Sequence, residues 1–271
     1  MKTAVLALDP TYVDTFPEGI DESVWKIWGK TWDDYVKYDR GVIRASQVTT
    51  RDGELVISMS KRDTPRTFKG DPDNPRGWDT GWLSTQESLG FVHGAYEVEA
   101  MVPAAENVSA GVWAAIWSRT FDKGIKGEVD VMESFGHSGE GARPAASVAE
   151  GFTATVHYTQ DGSIKHKSKA VTDPLLPLSA AYHKYGVYKG PDEIVIYFDR
   201  EQVHRVTRAD NPAAFDAAFP PGVPLDIRLC IQAGGKWGGW PTEDTAHHSE
   251  MRVRKVTLWD FDYPKYEEVL T

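Results

Sequence analysis

The chain is built from short runs that mix β-branched and aromatic residues with polar ones, separated by turn residues. Such runs are GELVISMSKR (53–62), GAYEVEAMVP (94–103), GVWAAIWS (111–118), FTATVHYTQDGSIKHKS (152–168) and KYGVYKG (184–190). Further along come EIVIYFDREQVHRVTR (193–208), PLDIRLCIQAGG (224–235) and EMRVRKVTLWDFDY (250–263). This pattern predicts strands, with hairpin turns at Gln160-Asp161-Gly162 and at Asp199-Arg200. Helical periodicity is almost absent, and only short helical pieces are predicted, near Asp21–Val24 and around Pro212–Ala218. Strands at this spacing argue for an all-β sandwich.

Alternation also assigns faces. In GAYEVEAMV, Ala95, Glu97 and Glu99 share one face, and Tyr96, Val98 and Ala100 share the other. In TATVHYTQ, Thr155, His157 and Thr159 lie opposite Val156 and Tyr158. Strands with one apolar face and one polar face put the core between two sheets. The outer face of one sheet is then free to form a groove.

One run departs from this alternation. GEVDVMESFG (127–136) holds three acids, Glu128, Asp130 and Glu133, among the apolar Val129, Val131, Met132 and Phe135. Glu128 and Asp130 are co-facial on a regular strand, whereas parity turns Glu133 away. One extra residue, absorbed as a β-bulge at Val131-Met132, returns Glu133 to their face. The two glutamates could then bring their carboxyl groups to about 5–5.5 Å, the separation of a retaining glycosidase rather than an inverting one. Asp130 between them would raise the pKa of whichever glutamate must hold a proton. Without the bulge, the same acids are a solvated strand edge and carry no chemistry.

Composition narrows the partners. A length of 271 residues suits one all-β domain, taken as 1–271. The formal net charge of −10 argues against a phosphate backbone, so no nucleic-acid partner is expected, and it weighs less strongly against sulfated or uronic polymers. Ten Trp exceed what a core of this size needs, and Trp also makes flat platforms for ligands. The single cysteine, Cys230, reads as a small buried hydrophobe. The N-terminal MKTAVLALDP is too short an apolar run for a signal peptide, and no run of about 18 apolar residues exists to span a membrane.

The run GEVDVMES closely resembles the catalytic signature of glycoside hydrolase family 16 in its bulged form. The resemblance extends over roughly residues 12 to 262. TGWLSTQESLGFVHGAYEVEAMVP (80–103) is similar to the family's two strands before the active site, and GVWAAIWS to its Gly-x-Trp-Pro-Ala-Phe-Trp segment, with Ala114 in place of Pro. TVHY (155–158), YHKYGVYKGPDEIVIYFD (182–199), LCIQAGGKWGG (229–239) and the C-terminal VRKVTLW follow in the family's order. The resemblance implies a β-jelly-roll sandwich with a concave, substrate-binding sheet and retaining endo-hydrolysis of β-linked glucans or galactans.

Carried over residue by residue, the resemblance makes Glu128 the nucleophile, Asp130 the assisting carboxylate and Glu133 the general acid/base. It makes Trp113 and Trp117 cleft tryptophans, His157 a histidine near the acid/base and Trp237 a residue of the cleft rim. Phe135, two residues after the acid/base, is expected to border the acceptor side. Cys230 aligns with a common Asn, and Gln232 lies on the same face two residues on. Glu99 stands where relatives carry Arg or Ser and is expected to add an acid near the cleft. The family's structural calcium is not expected, because Thr15 and Arg254 fill positions that are usually acidic. No other metal or cofactor is expected.

The reading is a monomeric, retaining endo-β-1,3-glucanase with a polysaccharide substrate and an extracellular site of action. The visible chain shows no leader, which leaves open a trimmed, virion-associated or cytoplasmic protein. The alternatives are a β-galactan endo-hydrolase of the same family, and a glycan-binding or depolymerase module of a larger assembly such as a phage tail.

Overall fold

The structure is a computed structural model that describes residues 1, 3–30, 35–122, 124–125, 127–136, 150–160, 163–172 and 177–261. Its strands are β1 (Tyr12–Asp14), β2 (Lys26–Ile27), β3 (Gly41–Ile43), β4 (Val48–Arg51), β5 (Glu54–Phe68) and β6 (Asp71–Thr80). Then come β7 (Trp82–Ser84), β8 (Gly94–Met101), β9 (Val112–Arg119), β10 (Glu128–Ser134), β11 (Gly151–Gln160) and β12 (Ser163–Thr172). The last are β13 (His183–Lys189), β14 (Glu193–Phe198), β15 (Glu201–Thr207), β16 (Arg228–Ala233) and β17 (His248–Asp260).

These strands form two sheets, as the alternation predicts. The larger runs β15-β14-β13-β8-β17-β5-β6-β3, with β1 and β4 paired onto β17 and β5. The smaller runs β12-β11-β10-β9-β16-β7-β2. The core lies between them. β8 contributes Tyr96, Val98 and Ala100, and β17 Met251, Val253, Val256 and Leu258. Facing these are Val112, Ala114 and Ile116 of β9, Val129, Val131 and Met132 of β10, Phe152, Ala154 and Val156 of β11, and Leu229 and Ile231 of β16. Each large inward side chain contributes roughly 1.5–3 kcal/mol by leaving water. A smaller apolar cluster on the outer face of the larger sheet joins Met1 and Val5 to Tyr188, Val195, Tyr197 and Trp259.

The hairpin at Asp199-Arg200 forms, with both residues at positive φ, 47° and 70°. That is the two-residue turn whose twist matches the flanking strands. Residues 161–162 of the other expected turn lie outside the described residues, although Gln160 pairs with Ser163 across it. The helix at Pro212–Ala218 forms, capped by the Asn211 side chain on Ala214 N. Asp21–Val24 is a turn instead of a helix: the Asp21 carboxylate accepts from Ser23 N and Oγ at 2.9 and 2.6 Å, a local bond that competes with helical pairing. A single helical turn at Thr3–Leu6 had no periodic signal.

Glu99 does not lie near the cleft. β8 belongs to the larger sheet, and Glu99 is on its outer face, 3.5 Å from Arg254 Nη1. It shares a face with Ala95 and Glu97, as alternation predicts, but that face is on the far side of the sandwich from Glu128.

Candidate active site

The strand that carries the three acids is fixed at both ends by glycine. A Cβ on Gly127 would lie 2.0 Å from the Ala218 carbonyl oxygen. Gly136 has φ +68°, and a Cβ there would lie 1.6 Å from Ser109 O. Between them, β10 pairs with β9 and β11, and both ladders skip a residue. Against β9, Asp130 pairs with Trp117 and Met132 with Ile116; against β11, Asp130 pairs with Thr155 and Glu133 with Thr153. Val131 is therefore the surplus residue, and the bulge lies where the spacing of two and then three requires it. Val129, Val131 and Met132 are all fully buried in the core. Glu128, Asp130 and Glu133 share the outer face of the smaller sheet.

Rows of cross-strand neighbours build the site on that face. Glu128 is flanked by His157 of β11 and Arg119 of β9. Its side chain is 30% exposed, and Arg119 Nε lies 3.9 Å from Oε2. Asp130, only 6% exposed, has its Oδ2 2.8 Å from His157 Nε2. Burial, and then the neighbouring charge of Glu128, push the Asp130 carboxyl well above the usual carboxylate range. Glu133 accepts a hydrogen bond from Trp113 Nε1 at 3.1 Å. Its pKa is also raised well above the ordinary value, first by burial and then by Asp130; His157 and the Trp113 N–H pull the other way. One donor atom each from Glu128, Asp130 and His157 lie within 4.8 Å of one another.

The aromatic residues divide. The Trp113 and Phe135 rings pack at 4.8 Å, tilted by 58°. The 235–239 turn closes over them: a Cβ on Gly235 would lie 2.6 Å from the Trp113 ring, and one on Gly238 2.4 Å from Phe135. Trp237, at the tip of that turn, is 44% exposed, and Gln232 pairs with Trp113 across β16 and β9. Trp117 is on the same face, but the Arg228 guanidinium lies over its ring at 4.8 Å, and Trp82 packs edge-on at 6.1 Å. Cys230 is buried between Trp82 and Ala115. Trp78 is part of the core, and Trp240 lies under Arg40.

Several residues of this face gave no signal in the sequence. Arg119 and the pair Asp226 and Arg228 are among them. So is Trp28, whose Nε1 donates to Ser84 Oγ at 3.1 Å. Arg228 and Cys230 alternate on one strand, which could have placed Arg228 on this face once Cys230 was aligned.

The family model for glycosyl hydrolases family 16 matches residues 37–250. Among curated proteins, the endo-1,3-1,4-beta-glycanase EglC of Rhizobium meliloti (strain 1021) is 27% identical over 220 residues, covering 80% of this chain and 40% of that protein. The endo-1,3-1,4-beta-glycanase ExsH of the same strain is 28% identical over 191 residues, covering 70% of this chain and 35% of that protein. The chain thus spans less than half the length of these curated relatives. Among solved structures, the catalytic domain of an endo-1,3-beta-glucanase (laminarinase) from Thermotoga petrophila RKU-1 superposes with a TM-score of 0.74 at 19% identity, over 94% of this chain and 98% of that one. The fold is thus that of a laminarinase catalytic domain, and with a family model matched across most of its length, the chain belongs to glycosyl hydrolases family 16.

Proposed function

We propose that the protein is a retaining endo-β-1,3-glucanase acting by double displacement. The observation that carries this reading is the bulge-set row of Glu128, Asp130 and Glu133 on one face, in which the carboxyls of Asp130 and Glu133 are driven toward their protonated forms. Glu133 is the general acid. Its carboxyl, raised well above the ordinary carboxylate range, holds a proton, and Trp113 fixes its orientation. It protonates the glycosidic oxygen while Glu128 attacks the anomeric carbon, giving a covalent glycosyl-enzyme. Glu133, now ionised, takes a proton from water, and that water releases the sugar. Asp130, held by His157, stands between the two glutamates as the assisting carboxylate that orients the nucleophile and modulates its charge. Trp113, Phe135, Trp237 and Gln232 bound the sugar path at one end of the row.

Support for a glucan comes from the relatives, which are endo-1,3-1,4-beta-glycanases and a laminarinase. No metal takes part in this reading. The residues at the family's calcium position do not suit that ion. Both Asp14 oxygens are engaged, by Phe16 N and by Tyr12 and Trp25, and Arg254 is paired with Glu54 and Glu99. Reducing-end release from a polysaccharide panel tests the substrate. The expected result is cleavage of β-1,3-glucan into oligosaccharides. Cleavage of β-galactan alone, or binding without cleavage, would replace the glucanase reading by one of its alternatives.

A further inference from the structure

The reaction above gives no role to Arg228, yet the fold holds this side chain firmly on the active face. It is on β16, in register with Trp117 of β9 and Ser84 of β7. Its Nε donates to both Asp226 oxygens at 3.0 and 2.9 Å, and its Nη2 to Oδ2 at 2.7 Å. Asp226 is fully buried, and its Oδ1 also accepts from Arg119 N at 2.9 Å. The guanidinium thereby lies over the Trp117 ring, with the side chain 12% exposed. Among the described residues Nη1 has no hydrogen-bond partner, and it is not sealed from solvent.

A buried ion pair is a poor source of stability, because desolvation of the two charges offsets most of their attraction. An apolar pair would fill this floor as well. What the pair does provide is a guanidinium that has lost its rotamer freedom before any ligand arrives, which lowers the cost of binding. It also changes what Trp117 offers. A sugar at this position meets N–H donors where it would otherwise meet a bare indole face. The charge is neutralised locally by Asp226, so the site suits a neutral hydroxyl better than an anionic group. β16 is two strand spacings from β10, about 9.5 Å. Arg228 shares the cross-strand row of Trp117 and Asp130, within reach of a sugar bound beside the one being cleaved.

We infer that Arg228 is a specificity-determining residue, whose Nη1 donates to a hydroxyl of a neutral glucosyl unit in the subsite beside the scissile bond. The inference rests on the glucanase reading. The test measures binding of a linear β-1,3-linked glucose hexasaccharide to the Glu128→Gln protein, with and without a second change. Arg228→Met alone strands a buried carboxylate and risks unfolding, so the decisive variant is Arg228→Met with Asp226→Leu, beside Arg228→Lys. Loss of a charged donor predicts roughly 10-fold to 100-fold weaker binding in the double variant. In the background with Glu128 intact, it predicts a rise in KM that exceeds the fall in kcat. A double variant with parental melting that binds the hexasaccharide within twofold of the parent would overturn the inference, as would tighter binding of a carboxylated glucan than of the neutral one. Cleavage of the same hexasaccharide by the parent enzyme tests the glucanase reading separately, so the two failures are distinguishable.

Discussion

Deletion of Val131 is the sharpest perturbation of the architecture. Both ladders of β10 leave this residue out, so its removal should turn the bulge into a regular strand without shifting either register beyond it. Met132 would keep its inward place opposite Ile116, and Glu133 its outward place opposite Ala115. The three carboxylates would remain on one face at spacings of two and two. The loss is the packing of one fully buried valine, roughly 1.5–3 kcal/mol. For a chain of this size that corresponds to a fall in Tm of about 3–12 °C. Deletion of Val129 is the control. It lies in the regular part of the strand, and its loss sends every later side chain to the opposite face, so that protein should not fold. Calorimetry with a hydrolysis assay reads both variants. A Val131 deletion that is as unfolded as the Val129 deletion would refute the bulge as the device that aligns the acids. So would one that folds normally with Glu133 turned away and all activity lost.

Glu128→Gln should abolish turnover on every substrate while leaving oligosaccharide binding, whereas Glu133→Gln should retain cleavage of aryl glycosides with good leaving groups, which need little protonation; equal loss on activated and natural substrates by the folded Glu133→Gln protein would reverse or void the assignment. Burial and Asp130 raise the folded pKa of Glu133 above its unfolded value of about 4.3, so its stabilising contribution is complete below that pH and is lost as pH rises through the folded pKa. The Tm of the parent should therefore fall relative to that of Glu133→Gln as the pH is raised from about 4, and a parent Tm that rises relative to that variant would contradict a protonated Glu133. Incubation with EDTA should leave the rate unchanged, and a loss restored by Ca²⁺ would assign the protein a metal it is proposed not to need.

The three acids were legible because strand parity is strict: an offset of one residue has to be absorbed somewhere, and only a bulge absorbs it between Asp130 and Glu133. The two-sheet sandwich was legible for the same reason. Alternation says which side chains share a face, but it does not say which sheet a strand joins or which way that face looks. Glu99 is on the far side, and only the pairing of β8 with β13 and β17 puts it there. The Asp226 and Arg228 pair was hidden differently. Two opposite charges at i and i+2 read as an ordinary polar face, and their meaning comes from Trp117, more than a hundred residues earlier in the chain. Trp28 enters through a strand of two residues, too short to show any period. The turn at Asp21–Val24 was decided by a side chain bonding its own backbone, which no hydrophobic pattern records.

Double displacement by Glu128 and Glu133 leaves its mark on the anomer of the first product. Proton NMR during the first minutes of hydrolysis of a β-1,3-glucan, before mutarotation, resolves the two anomers of the new reducing end. Two inversions at the same carbon predict that the β-anomer appears first and the α-anomer only later, as the sugar equilibrates. An α-anomer appearing first would mean a single displacement by water, and Glu128 could not then be the nucleophile.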